Sequence, residues 1–223
     1  MGETSVTTAS QGPRDPADRA AQDGRLTRAA RTRAAVVDAL LALNERGNVR
    51  PTARDIATEA GVSLRSLYVH FDDLEALFVA AAERHTDRLA GLVGPLIVQG
   101  DLATRIETLL SRQAILYEAG AGVRRAALLQ EPFSPTLQKA LTMGRKLARS
   151  TIRQMFAPEL AAAGPEAGDA LARALEIATS AATWDALRTF QQLSVEAATD
   201  QVREMVQAFF ERWGPPTANG RQT

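Results

Sequence analysis

The chain predicts an all-α fold in two parts, a small N-terminal helix-turn-helix domain of three helices and a larger helical domain. Three observations carry this. Apolar residues make up 45% of the sequence and aromatics only 5%, with Ala, Leu and Arg dominant, a mixture that favours helices over sheets. The apolar residues recur at helical spacing, and Gly, Pro and Ser/Thr/Asp caps fall between the periodic stretches. A length of 223 residues accommodates one small module and one larger domain with a real core.

Residues 1–24 are polar, rich in Gly, Pro, Ser and Thr, and aperiodic, which predicts a disordered arm. Either this arm is inert or Arg14, Arg19 and Arg25 add salt-sensitive contacts to phosphate or the minor groove. The first helix is expected over Leu26–Asn44, with Val36, Val37, Leu40, Leu41 and Leu43 inward and Gly47 as its stop. Arg28, Arg31 and Arg33 occupy its first turns, where a solvated cluster is one reading.

The stretch after Pro51 reads as two short helices around a tight corner. Thr52 with Asp55 forms a capping box over Ala53–Ala60, whose Ile56, Ala57 and Ala60 give a small apolar face. Gly61 suits the left-handed residue that ends a helix, and Val62 plugs the corner. Ser63 caps Leu64–His70, with Leu67 inward and Arg65, Ser66, Tyr68 and His70 outward. Asp72 with Glu75 reads as a second capping box, opening a helix from Asp73 to about Leu92 with Leu77, Phe78, Ala81 and Leu89 inward. Helix, three-residue turn and short polar-faced helix make a helix-turn-helix unit; an ordinary helical hairpin is the bland alternative.

The rest reads as helices. One is expected over Leu102–Glu118, then punctuation at Gly120 and Gly122, then a shorter one over Val123–Leu129. Ser134 and Pro135 launch a long helix to about Phe156, with Leu137, Leu141, Leu147, Ile152 and Met155 inward. Pro158, Gly164, Pro165 and Gly168 mark a loop. Two closing helices are expected over Asp169–Gln192 and Val195–Trp213, the second capped by Ser194, before a frayed tail over 214–223. The expected division is thus an arm (1–24), a helix-turn-helix domain (25–75), a larger helical domain (76–213) and the tail.

Bulk charge excludes a polycation, since 26 basic residues balance 26 acidic ones. Within 25–72, however, eight arginines face five acidic residues, a modest local excess that fits a short duplex site. The absence of Cys excludes disulfides and thiolate chemistry, and neither of the two histidines has a catalytic partner in sequence. No metalloprotease, P-loop or dinucleotide-binding motif is present, so neither catalysis nor a cofactor or metal is expected. No signal-peptide or membrane-spanning run appears, which fits a cytoplasmic protein without a membrane partner.

Residues 28–78 resemble the N-terminal domain of the tetracycline-repressor (TetR) family of bacterial transcriptional regulators. The resemblance is carried by Thr52, Asp55, Ile56 and Ala57, by Ala60-Gly61-Val62-Ser63, by Leu67, Tyr68, His70 and Phe71, and by Glu75-Ala76-Leu77. It implies a homodimer reading a palindromic operator on double-stranded DNA, the last two helices meeting their symmetry mates in a four-helix bundle. It also implies a small-molecule effector among the middle helices that shifts the fourth helix and spreads the heads, repressing transcription until release. An activator, a ligand-independent regulator and a helical interaction protein are the rivals.

Within this frame Arg65, the only long cation on the recognition helix, is placed on a base edge or else a phosphate, and Ser66 on either. By resemblance Tyr68 and His70 grip the backbone, unless His70 instead caps the next helix, and Arg28 or Arg31 approaches phosphate. Thr52 is expected to offer its backbone N–H to a phosphate, with Arg54 adding charge. Two departures stand out: Asp72-Asp73-Leu74 replaces the basic residue common at the start of the fourth helix, and Val69 stands where a polar or basic residue is usual. Effector-lining candidates are Leu109, Arg112, Gln113, Leu116, Tyr117, Met143, Leu147 and Trp184, each with plain core packing as its alternative. An inward Arg112 would favour an acidic or carbonyl-bearing effector, and scarce aromatics favour a small hydrophobic one. Dimer candidates are Ala174, Ala178, Ala181, Ala182, Leu187, Val202, Met205 and Phe209, or an intramolecular stripe of the same residues.

Overall fold

The computed structural model describes residues 16–214, with side chains from residue 24 onward except that of residue 25. Four helices lead the chain: α1 (Pro16–Glu45), α2 (Ala53–Glu59), α3 (Leu64–His70) and α4 (Leu74–Val93). The larger part comprises α5 (Leu102–Gln130), a 3-10 turn (Glu131–Phe133), α6 (Pro135–Met155) and α7 (Ala157–Ala162). It continues with α8 (Pro165–Ala178), α9 (Ala181–Asp185), a π turn (Ala186–Phe190) and α10 (Val195–Trp213). There is no strand among the described residues, and none of their helices is long and apolar enough to cross a membrane.

Helix α1 starts at Pro16 rather than near Leu26, so residues 16–24 are helical where a disordered arm was expected. Proline suits a first turn, the residues after it are mostly good helix formers, and the single Gly24 costs about 1 kcal/mol. Residues 1–15 of the expected arm, the tail 215–223 and the contacts expected of Arg14, Arg19 and Arg25 lie outside the described residues and side chains. The end of α1 is closed by Gly47 at φ 91°: its N–H donates to Asn44 O, and Asn48 N–H donates to Leu43 O. This six-to-one, five-to-two pairing satisfies the carbonyls that a helix end leaves free.

The same device closes α2. Gly61 lies at φ 66°, its N–H donates to Thr58 O, and Val62 N–H donates to Ala57 O. Val36, Val37, Leu40 and Leu41 of α1 form one buried cluster with Ile56, Ala57, Leu67, Phe71, Leu77 and Ala81. Since Leu77 and Ala81 belong to this cluster, the boundary expected at residue 75 cuts through α4, which is part of the head for its first two turns. Asp73, not Asp72, caps α4: its carboxylate accepts from Ala76 N at 2.8 Å, and no Asp72–Glu75 box forms.

In the larger part, three glycines read as breaks are packing positions. The expected pair of helices around Gly120 and Gly122 is one continuous α5. A Cβ on Gly122 would lie 2.6 Å from Asn44 O and 2.8 Å from Glu45 Cα, so α1 rests on the bare backbone there. Gly120 faces α4 two residues earlier, where a Cβ would meet His85 Nε2 at 3.5 Å. Gly168 likewise sits inside α8, with its Cβ position 2.3 Å from Leu160 O of α7. The expected loop contains α7, started by Pro158 in its first turn.

One expected closing helix is instead broken at Thr179 and Ser180. The Thr179 hydroxyl donates back to Leu175 O, and Ser180 caps α9 by accepting from Thr183 N. Such side-chain bonds compete with the helical ladder. The body core gathers Ile106, Leu109, Leu110, Ile152, Met155, Phe156, Leu171, Leu175, Trp184, Leu187, Val202, Val206 and Phe210. Within it lies one buried cation. Arg105 donates to Met155 O at 2.7 Å and pairs with Glu159, tying the start of α5 to the end of α6 and to α7.

Candidate nucleic-acid interface

Helix α3 is held by its ends and its middle. Ser63 accepts from Ser66 N at 3.1 Å, Leu67 is fully buried, and Phe71 follows it into the core. The guanidinium of Arg33 lies 4.4 Å from the centroid of the Phe71 ring, a cation–π contact from α1 across the end of α3. What remains outward is Leu64, Arg65, Tyr68 and Val69, with Ser66 and His70 half-exposed; Arg65, Ser66, Tyr68 and His70 are the residues expected to point outward. His70 does not cap α4, because Asp73 does.

Thr52 is a correction. Its N–H already donates to Asp55 Oδ2 at 2.8 Å, and its hydroxyl to the same oxygen, so the expected donation to a phosphate is taken up by the capping box. The backbone donor of Thr52, seconded by its hydroxyl, holds the Asp55 carboxyl below its ordinary pKa. Asp73 similarly occupies an N–H at the start of α4.

The charge of the head is distributed differently from that of the body. Arg28, Arg31, Arg50, Arg54 and Arg65 are exposed, and none has a carboxylate partner among the described residues. Head Arg46 pairs with Glu59, and on α4 and in the body Arg84, Arg88, Arg124, Arg145, Arg149, Arg153, Arg188 and Arg203 pair with carboxylates, whereas Arg125, Lys139, Lys146, Arg173 and Arg212 are exposed without an ion pair among the described residues. Exposed cations without an ion pair thus occur on both parts, set more densely along the head, where residues 25–72 carry eight arginines against five acidic residues in a chain that is neutral as a whole.

Head and body meet along α1, α4 and α5. Arg84 donates to Asp38 and Arg88 to Glu45 at 2.8 Å, pinning α4 to α1. His85 faces α5, its Nδ1 buried without a hydrogen-bond partner among the described residues. Burial, then Arg88 and then Arg124, depress its pKa from the ordinary 6.5. Arg88 is paired with Glu45 and Arg124 with Asp185, so their charges are partly balanced. The unfolded histidine takes up a proton more readily than the folded one, so folding stability should fall as the pH drops through about 6.5 and below. Denaturant titrations at pH 7.5 and 5.5 should show a smaller pH difference for His85→Gln than for the wild type. Equal differences would remove this assignment.

Within the body, a crevice of about 220 Å3, open mouth included, lies at the break after α8. Leu110, Gln113, Tyr117, Ala178, Thr179, Ser180, Trp184, Thr199 and Val202 line it. Of the effector candidates it gathers Gln113, Tyr117 and Trp184. Leu109 is interior core, and Leu116, half-buried, is not part of the wall. Met143 and Leu147 are 65% and 66% exposed, because the buried side chains of α6, Leu137, Ile152 and Met155, lie near its two ends. Arg112 is also a correction. It donates to the carbonyls of Val93, Gly94 and Pro95 at 2.7–3.2 Å, so the carbonyls that satisfy it belong to the end of α4. The expected acidic effector has no cation to meet there.

Tyr117 donates to Thr179 O at 2.8 Å, supplying the hydrogen bond that the broken helix lacks, and Trp184 Nε1 donates to Glu118 at 2.8 Å. Burial pushes the Tyr117 phenol up to about 12, keeping it a neutral donor. The two rings lie 6.2 Å apart. Thr179, Ser180 and Thr199 are committed to their own backbone neighbours, whereas the Gln113 amide has no partner among the described residues.

Of the dimer candidates, Ala178, Leu187 and Val202 are buried within the one chain and cannot form a surface. Met205 and Phe209 are partly buried against the same core. Ala174 and Ala181 are half-exposed and Ala182 is exposed. Sequence reasoning missed Ile177 and Phe190, which are 71% and 83% exposed. The signal for Ile177 was present: it continues the stripe Ala174, Ile177, Ala181 at helical spacing. Phe190 belongs to the π turn, which no local signal announces.

Residues 37–81 match the family described as bacterial regulatory proteins, tetR family. No curated protein sequence matches the chain. Among solved structures, a transcriptional regulator from Rhodococcus sp. Rha1 superposes with a TM-score of 0.64 at 18% identity, covering 85% of this chain and 98% of the other. A protein described as a TetR-family transcriptional regulator, from Mesorhizobium loti MAFF303099, gives 0.58 at 20% identity, covering 84% and 98%. At these identities the superpositions establish the fold.

Proposed function

We propose, from the match of residues 37–81 to the tetR family of bacterial regulatory proteins, that the chain is a DNA-binding transcriptional regulator that represses transcription as a homodimer released by a small, uncharged, largely apolar effector. The observation that carries the DNA part is the outward face of α3 with its exposed Arg65, on a head whose Arg28, Arg31, Arg50 and Arg54 are also exposed and make no ion pair among the described residues. Their charge neutralises phosphate, and α3 enters the major groove, where Arg65 takes a base edge. Arg28, Arg31, Arg50 and Arg54 anchor the backbone in place of the α4 terminus, which Asp72 and Asp73 keep acidic.

A second copy supplies the second half-site. One head reads only a few base pairs, and the apolar Ile177 and Phe190 beside small residues of α8 are suited to a symmetric contact. The effector reading rests on the crevice at the break after α8. Its lining contains no charged side chain and one uncommitted amide, Gln113. Its enclosed space is about 10 Å3, room for about one water against the roughly 300–1,000 Å3 of ordinary ligand pockets, so binding an effector requires the break to open.

The test is a gel-shift titration with the DNA upstream of the gene. Arg65→Ala is expected to lose about 10- to 100-fold in affinity, the worth of one bidentate base contact, with an unchanged melting temperature. Equal affinity of the wild type for random duplex at moderate salt would refute the reading. Adding the protein should lower transcription from the same promoter in vitro; a rise would mark an activator.

A further inference from the structure

We infer that Val69 is a specificity-determining residue, reading the 5-methyl group of a thymine within about two base pairs of the base contacted by Arg65. The inference rests on the DNA-binding reading above and adds a base preference to it.

Val69 does nothing for the fold. It is 72% exposed, the most exposed large apolar residue of the head apart from those outside the helix-turn-helix, and it lies outside the buried cluster that Leu67 and Phe71 anchor. A β-branched residue is also a mediocre helix former, so the seven-residue α3 gains nothing locally from it. Its neighbours sharpen the point. Arg65 and Val69 are four residues apart, so their side chains lie one above the other on a single exposed face of α3. The same stripe thus presents one cation and one purely apolar group.

In the major groove these two chemistries have different partners. A guanidinium matches the acceptor pair on guanine, whereas an isopropyl group has neither donor nor acceptor. Among the four bases only thymine offers an apolar group on that edge, its C5 methyl. Beside the amino group of cytosine or adenine, Val69 would desolvate a donor without replacing its hydrogen bond. Four residues of helix rise about 6 Å, roughly two base-pair steps, which sets the distance between the two readings.

The test starts from an operator selected by the wild-type protein from random duplex. Each thymine is then replaced singly by deoxyuridine, which removes only the methyl group, and binding is titrated by gel shift. One thymine per half-site should weaken wild-type binding about fourfold when replaced, the weight of one buried methyl. Val69→Ala should bind thymine- and deoxyuridine-containing operators alike while keeping its preference at the Arg65 base. Val69→Thr, which retains one methyl of the same shape, should keep an intermediate sensitivity and guards against a folding defect in the alanine variant. If the selected operator is bound specifically but no deoxyuridine substitution matters, or if Val69→Ala remains as sensitive as the wild type, the assignment of Val69 fails while the DNA-binding reading stands. Selection that returns no preferred duplex would overturn both.

Discussion

Replacing Arg105 by alanine is expected to lower the unfolding free energy by about 3–5 kcal/mol, the range for removing one partner of a buried ion pair. The substitution would strip three acceptors at once. Glu159 loses its only counter-charge, Met155 O loses a donor at 2.7 Å, and Asp101 O loses a longer contact at 3.4 Å. Both side chains are mostly withdrawn from water, 9% and 13% exposed, so solvent compensates little. Denaturant unfolding followed by circular dichroism measures the loss. Arg203→Ala provides the contrast: Arg203 pairs with two carboxylates, Glu107 and Asp200, but both are more than half exposed. There the loss should stay below about 1 kcal/mol. Similar values for the two variants would mean that burial does not set the weight of the Arg105 pair. Replacing both members, as Arg105→Met with Glu159→Leu, should recover part of the loss because no charge is then stranded.

Gly122→Ala should destabilise by about 1–3 kcal/mol, although alanine is the better helix former by about 1 kcal/mol. The added methyl would fall 2.6 Å from Asn44 O and 2.8 Å from Glu45 Cα, both backbone atoms at the end of α1. Neither can swing away as a side chain would, so the two helices must separate. Gly144→Ala in the exposed middle of α6 has nothing within 4 Å of the new Cβ, and there the helix preference should win, giving a gain of about 0.4–1 kcal/mol. The opposite signs are the result to look for in thermal melting. A gain at Gly122 as well would show that α1 and α5 can part without loss. Because this contact and Val123 bring α5 against the head, Gly122→Ala should also loosen the attachment of head to body, visible as faster amide exchange at the end of α1.

The helix-turn-helix was legible nearly residue by residue because its signals are local. Thr52 and Asp55, Gly61 with Thr58, and Ser63 with Ser66 all act within three residues, and each forms the bond its spacing implies. The outward face of α3 follows from Leu67 alone, since burying one residue of a seven-residue helix orients the others. The body was legible as helices but not as a site. Apart from Arg112 and Gln113, its ligand candidates were apolar or aromatic residues, a character that Leu109 in the core, Trp184 at the crevice and Met143 in water share equally.

The chain's own order of residues determined where most helices begin and end, which face of the head looks outward, and which family the head is similar to, because caps, turns and helical period act over a few neighbouring residues. Only the tertiary structure decided the meaning of the residues whose partners are distant. Gly120, Gly122 and Gly168 allow close packing instead of breaking helices, Arg112 closes α4 instead of awaiting an acid, and Tyr117 supports a break 62 residues away. A missing side chain or a long cation is compatible with either role, and the choice between them is made by whichever backbone the fold places beside it.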